Sequence, residues 1–349
     1  MSYLVEVQAP ARVTSADHEV TFQSDSRTLH ASLRLPADVS TRVPAALIIA
    51  GSGPTDRNGN SAVAGHELKL NTYRWLADQL SARGHASLRY DKLGSGATGL
   101  GPYQAEELGS LSFQDTFVRD AEAALAYLAE QPGVDASKLT VIGHSEGGMV
   151  ALALANGRGP TPSRLVLLEP QYGPILGILE SQVESKMKDA VAAGALSAAD
   201  GVALTAWLKA GVRETIAGDA GSVPVVLPLP EATGVAQQLQ TLILVVLYNP
   251  KNRNLLKTEN ELDPLALAAQ VTMPGSVLVT CGTKDWNTPC AQVRALAEAF
   301  PAGVARLLPV PNTVHELRDV GAADPATLSP VDYLAHPFSA ALADALQTF

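Results

Sequence analysis

Five short apolar runs set what this chain can fold into: "AALIIAG" (45–51), "HASLRYD" (85–91), "KLTVIGH" (138–144), "RLVLLEP" (164–170) and "SVLVTCG" (276–282). None alternates cleanly between apolar and polar, which is the pattern of strands buried on both faces. Between them lie segments with helical spacing. "TYRWLADQLSARG" (72–84) ends on Gly84, "SFQDTFVRDAEAALAYLAEQPG" (112–133) stops at a Pro-Gly pair, and "CAQVRALAEAF" (290–300) follows the last run. Strand alternating with helix predicts a mostly parallel sheet flanked by helices on both faces. "HEVTFQSD" (18–25) and "TLHASLRLP" (28–36) do alternate and predict a leading hairpin or meander; "ARLLPV" (305–310) predicts a last strand and "FSAALADALQTF" (338–349) a terminal helix.

One region breaks the rhythm. Residues 171–270 separate two strand-like runs by far more than an ordinary connection. They contain "GILESQVESKMKDAVAAGALSAADGVALTAWLKAG", which reads as helices, and the proline-rich "GSVPVVLPLPEATG" (221–234). The expected organisation is therefore a core formed by 1–170 and 271–349, with 171–270 inserted as a mainly helical cap.

Composition narrows the function classes. With 46% apolar and 17% charged residues the 349-residue chain can bury a large core. Its net charge of −10 argues against a nucleic-acid partner, which needs a basic face. No basic segment followed by an apolar one opens the sequence, and the longest apolar candidate, "LQTLILVVLYNP" (239–250), is too short to span a bilayer. A cytoplasmic protein without a membrane span is expected, with Cys281 and Cys290 as free thiols in a reducing compartment. Oligomeric state leaves no mark on the sequence.

The chemistry concentrates in "LTVIGHSEGG" (139–148). Gly143-His144-Ser145-Glu146-Gly147 fits G-x-S-x-G, with a strand-like run before it and the helix-compatible "GGMVALALANG" after it. In that context the serine sits on a sharp, strained turn and its neighbours must lack bulk. A serine hydroxyl is a poor nucleophile near neutral pH and needs a histidine base, itself oriented by an acid. Downstream only His315 and His336 are available. His315, in "VPNTVHELRDV" just past the last strand, is the expected base, and His336 precedes the terminal helix as a structural or exposed residue. For the acid, Asp285 in "VLVTCGTKDWNTP" follows a buried strand at the sheet's carboxyl edge, where ligands bind in open α/β sheets. Glu169, at the end of "RLVLLEP", is the alternative acid or a supporting group.

Acyl transfer also needs donors for an oxyanion. The amide of Glu146 is one, and the glycine-rich "IIAGSGPTDRNGN" (48–60) offers the other at Ser52, with Gly53 next to it. Gly53 and Trp286 are expected to line the substrate pocket. The carboxylate of Glu146 is expected in a salt bridge, with Arg57 and Lys92 as candidates, while Asp56-Arg57 and Asp91-Lys92 brace the loops at the same edge. His144 is too close along the chain to serve as base and reads as a buried packing residue.

Four blocks, "GSGPTDRNGN" (51–60), "LRYDKLGSGAT" (88–98), "VIGHSEGGMVA" (141–151) and "LVTCGTKDWNTP" (278–289), with a looser fifth at "VPNTVHELRDV" (310–320), resemble the α/β-hydrolase superfamily. More narrowly they resemble bacterial dienelactone-hydrolase-like or serine-aminopeptidase-like esterases. That resemblance implies the α/β-hydrolase fold and cofactor-free, metal-free hydrolysis of small carboxylic esters of short to medium acyl chain. Two positions depart from the pattern: Ala50 stands where many hydrolases have a histidine before the oxyanion-loop glycine, and "DWNTPC" replaces the usual compact "D.QVP". Two other readings stay open. Glu146 and Glu169 suggest a peptidase or amidase that holds a substrate amine, and the fold also occurs in non-catalytic binding proteins.

Overall fold

The computed structural model describes residues 16–36, 41–63, 66–157, 159–218, 234–273, 275–328 and 331–348. An eight-stranded sheet runs through it in the spatial order β1 (His18–Ser24), β2 (Arg27–Arg34), β6 (Ala86–Tyr90), β3 (Val43–Ile49), β7 (Val134–His144), β8 (Arg164–Leu168), β9 (Val277–Gly282), β10 (Ala305–Val310). The first two strands pair antiparallel as the expected hairpin, β2 joins β6 antiparallel, and from β6 to β10 every pairing is parallel. A small antiparallel hairpin, β4 (Asn60–Val63) and β5 (His66–Lys69), stands apart between β3 and α1; it is not legible in the sequence, because its residues carry no apolar run.

The unbroken apolar runs are explained by the register. Leu47, Val141, Leu165 and Val277 lie in one row across the sheet, and Ile48, Ile142, Val166 and Leu278 in the next. Adjacent strand residues point to opposite faces, so the first row joins one core and the second another. Helices α2 (Arg119–Ala129), α3 (Glu146–Ala155) and α9 (Cys290–Ala299) cover the first face through Leu125, Leu152 and Leu296. Helices α1 (Thr72–Ser81) and α10 (Ala340–Thr348) cover the second through Leu76, Leu80 and Leu342. Each such side chain contributes about 1.5–3 kcal/mol on burial, and both faces need it, which is why apolar residues predominate in these strands and the polar ones among them, such as Arg89 and Thr280, are buried.

Among the described residues, five helices stand between β8 and β9: α4 (Ile175–Ala192), α5 (Ala198–Ala217), α6 (Gly234–Leu247), α7 (Pro250–Asn260) and α8 (Pro264–Gln270). Three begin where the sequence supplies a side-chain cap. Ser197 accepts from the Asp200 amide, Asn249 from Lys251 and Asp263 from Leu265, the last two preceding a proline suited to the first turn. Helices α4, α5 and α6 share their own apolar core, in which Trp207 stacks on Tyr248 at 4.6 Å between ring centroids. Ala268 of α8 and the following Val271 instead join the core beneath the sheet. Of the proline-rich stretch, residues 221–233 lie outside the described residues.

The expectation of free thiols is overturned: Cys281 and Cys290 form a disulfide, their Cα atoms 5.2 Å apart. Cys281 lies near the end of β9 and Cys290 opens α9, and the turn between them folds the chain back on itself. Chain proximity alone does not reveal that geometry, and the reducing-compartment argument points the wrong way for this pair. The bridge closes a small ring around Asp285, so its loss is expected to lower the unfolding free energy by about 2–3 kcal/mol; urea titrations of oxidised and reduced protein measure this. Among the described residues no helix is long and apolar enough to cross a membrane.

Candidate active site

Six strand ends converge on one edge of the sheet: β3 runs into Gly51-Ser52, β6 into Asp91-Lys92, β7 into Ser145, β8 into Glu169, β9 into the loop of Asp285, and β10 into the loop of His315. This is the carboxyl edge on which the sequence places the chemistry.

Ser145 has φ 54° and ψ −120°, a conformation an L-residue adopts only under constraint. The constraint is visible. Its N–H donates to Leu168 O at 3.0 Å, and its carbonyl accepts from the amides of Gly148 at 2.9 Å and Gln171 at 3.0 Å. The flanking glycines answer to close approach. A methyl on Gly143 would lie 2.1 Å from Gly147 O, and one on Gly147 would lie 2.4 Å from Ile49 O, so neither strand end nor helix start tolerates a side chain.

His315 Nδ1 lies 2.7 Å from Asp285 Oδ2. The carboxylate also accepts from the amides of Asn287 at 2.7 Å and Thr288 at 3.1 Å and from Thr288 Oγ1 at 2.7 Å. Every partner of Asp285 other than His315 is a donor and the acid is a natural acceptor, so the Nδ1 proton of the imidazole is fixed toward it. Burial alone would raise Asp285, but the charge and hydrogen bonds of His315 and Thr288 hold it below its ordinary value. Burial pushes His315 down, and Asp285, joined by Glu316 and Glu169, outweighs it and lifts the imidazole to about 9. Ser145 and His315 line one cavity of about 190 Å³ together with Gly51, Ser52 and Tyr73.

The remaining expected residues divide. Glu169 does not bond His315: it is fully buried at a positive φ, and its Oε2 accepts from Thr280 Oγ1 at 2.7 Å. Burial raises its carboxyl to about 8, with Asp285 nearby adding to the shift, so it is a neutral acid at pH 7. Glu146 pairs with Lys92, whose Nζ lies 3.1 Å from Oε1; Arg57 turns instead to Glu19 at 2.6 Å. Asp91 receives the amides of Arg57 at 2.7 Å and Ala97 at 2.8 Å, bracing the two loops against each other. Gly53 and Trp286 are not brought to the Ser145 cavity. Gly53 has φ 77° and open space around it. Trp286 is 39% exposed and lines a separate cavity of about 170 Å³ with Leu179, Leu208 and Ile243 of the inserted helices. Among the described residues no group of His, Cys, Asp and Glu side chains could hold a metal ion.

His144 is buried as expected but is more than packing: its Nδ1 meets Tyr73 Oη at 3.0 Å and its Nε2 meets the His315 carbonyl at 2.8 Å. Burial drops its imidazole to about 3, so it stays neutral. Sequence reasoning also misses Tyr73 and Glu259. Tyr73 sits on the apolar face of α1, where the signal is a polar atom among core positions, and Glu259 shares the buried side of α7 with Arg253, in a helix with no apolar face to mark it. Glu259 of α7 is buried near Lys92 and Glu146, and burial pushes its carboxyl well up.

Because Glu169 is neutral when folded and ionised when unfolded above its ordinary value, its contribution to stability is complete below about 4.5 and is lost as pH rises through about 8. Glu169→Gln removes that dependence. The variant is expected to gain thermal stability relative to the parent at pH 9 compared with pH 5, measured by calorimetry at both pH values.

Residues 62–202, which include Ser145 but neither Asp285 nor His315, match the family model of the serine aminopeptidases S33. Solved structures share the fold over nearly the whole chain. A hydrolase of Agrobacterium vitis S4, described as putative in its own name, aligns at 19% identity and TM-score 0.51 over 96% of this chain and 98% of that one. A thermophilic esterase from Thermogutta terrifontis aligns at 14% identity and TM-score 0.50 over 95% and 97%. A puromycin hydrolase aligns at 20% identity and TM-score 0.51 over 89% of this chain and 37% of that one. No curated protein matches.

Proposed function

We propose that this chain, an α/β hydrolase by its fold and by the family match over residues 62–202, is a serine esterase that works through an acyl-enzyme on Ser145. The observation that carries the reading is the His315–Asp285 bond at 2.7 Å in a cavity shared with a nucleophile held at φ 54°. Ser145 Oγ attacks the ester carbonyl while His315 takes its proton; the imidazolium, steadied by Asp285, then returns that proton to the departing alcohol. Water activated by the same histidine releases the acid. The amides of Ser52 and Glu146 receive the oxyanion, and neither is engaged by another acceptor among the described residues. No metal or organic cofactor takes part. The inserted helices α4 to α7 serve as a cap that limits the acyl chain to short or medium length.

The serine-aminopeptidase reading has the family match behind it and needs a free carboxylate for the substrate amine. Glu146 is already paired with Lys92, and the buried Glu259 and Glu169 carboxyls are pushed toward their neutral forms. That arrangement favours a neutral ester over a peptide amino terminus. A panel of chromogenic esters of increasing acyl length, run beside aminoacyl amides, tests the choice. Turnover of acetyl to hexanoyl esters with no amide cleavage is expected; cleavage confined to amides with a free amine would select the peptidase.

A further inference from the structure

Gly51 is gripped through both of its backbone polar groups, and the two grips lead to different parts of the site. On one side the Gly51 N–H donates to Tyr73 Oη at 2.8 Å. A backbone amide can only donate, so the tyrosine oxygen accepts there and directs its own proton to His144 Nδ1 at 3.0 Å. The imidazole proton is thereby left on Nε2, which faces the His315 carbonyl, itself only an acceptor, at 2.8 Å. The chain Gly51 → Tyr73 → His144 → His315 has a single consistent polarity. It joins the peptide before Ser52 to the main chain of the histidine that Asp285 orients.

On the other side the Gly51 carbonyl accepts from Lys92 Nζ at 2.5 Å, and the same ammonium reaches Glu146 Oε1 at 3.1 Å. Lys92 is buried, held over the Phe117 ring at 5.2 Å. It therefore ties the segment of Ser52 to the residue that follows the nucleophile. Both groups named above as oxyanion donors belong to segments that this one lysine holds together. Gly51 also passes close to the elbow: a methyl there would stand 3.1 Å from Ser145 Cβ, tighter than ordinary contact.

We propose that Tyr73 and Lys92, with His144 between Tyr73 and the base, are positioning residues that fix the backbone on both sides of Gly51 and so set the oxyanion donors against Ser145 and His315. This rests on Ser145 being the nucleophile of the esterase reading, and it gives the Glu146 carboxylate the role of anchoring Lys92. The oxyanion forms only as the reaction proceeds, so a displaced donor slows the chemical step and leaves substrate binding nearly unchanged.

The proposal is tested by the rate at which a fluorophosphonate probe labels Ser145. In that reaction the Oγ–P bond forms, fluoride leaves, and His315 takes the serine proton, whether the natural substrate is an ester or an amide. Tyr73→Phe and Lys92→Met are each expected to label roughly 10- to 100-fold more slowly. The double variant is expected to fall well short of the product of the two losses, because the grips act on the two peptide groups that flank a single residue, Gly51. Lys92→Arg, which keeps a donor, should recover part of the rate. For esters, kcat falls with these substitutions and KM stays within about twofold. Circular dichroism and the unfolding midpoint confirm that the variants are folded at the assay temperature. Labelling at the parent rate in both single variants overturns the proposal, as do losses that multiply in the double variant. A parent protein that labels at Ser145 yet cleaves no ester would end the esterase reading and leave these comparisons in force.

Discussion

Ser145→Ala is expected to lower kcat on a chromogenic short-chain ester by about 10⁵- to 10⁶-fold while the unfolding midpoint stays within a few degrees of the parent. The size follows from the role: without the nucleophile no acyl-enzyme forms, and what remains is the modest advantage of bound donors over water. The fold should survive because the glycines that demand the turn are unchanged. A methyl on Gly143 or Gly147 would collide with backbone, whereas Ser145→Ala only removes an oxygen. Loss of the polar side chain at φ 54° does not relieve the backbone, since alanine meets the same torsional cost there.

Asp285→Asn is expected to cost about 10⁴-fold in kcat and to change the pH profile. The sign follows from the base. His315 must be neutral to accept the serine proton, and it is lifted to about 9 against the downward pull of burial, chiefly by the charge and hydrogen bond of Asp285. The parent's kcat/KM should accordingly rise with pH through a value above the ordinary 6.5 and toward 9. Removing the carboxylate charge leaves burial to dominate, so the rising limb of the residual activity should move to lower pH. The asparagine amide also presents a donor toward Nδ1 in one of its two orientations, which favours the wrong tautomer. Glu169 gives no rescue, because its carboxyl is bonded to Thr280 rather than to His315. Kinetics of parent and variant between pH 5 and 10 check both the depth of the loss and the direction of the shift.

Much of this architecture is legible because the signals are local. Strands β3, β7, β8 and β9 are read from apolar runs, and the register shows why: each presents one core row to either face, whereas β6 gives Leu88 to the first core and turns Ser87 and Arg89 to the other face. The elbow is read from Gly143, Ser145 and Gly147, where backbone contact forbids side chains. Asp285 and His315, thirty residues apart in sequence, follow from chain order and strand position, and the structure sets them at 2.7 Å. What escapes depends on distant segments meeting. Tyr73 looks like any apolar-face residue of α1 until its hydroxyl meets Gly51 and His144. Trp286 neighbours Asp285 in sequence, yet it turns toward the inserted helices, with Lys186 Nζ 4.5 Å from its ring. The Cys281–Cys290 bridge depends on a turn that the sequence of the loop does not announce. The partner of Glu146 is one of two candidates until Lys92 is seen bonded both to it and to Gly51.

The central claim is that Ser145 is the nucleophile. It is tested most directly by treating the protein with a fluorophosphonate and locating the adduct by mass spectrometry of its peptides. The account predicts one adduct, on Ser145, stoichiometric with the loss of ester turnover and absent from Ser145→Ala. An unlabelled Ser145 in protein that still hydrolyses esters, or an inactivating adduct on another residue, would contradict it.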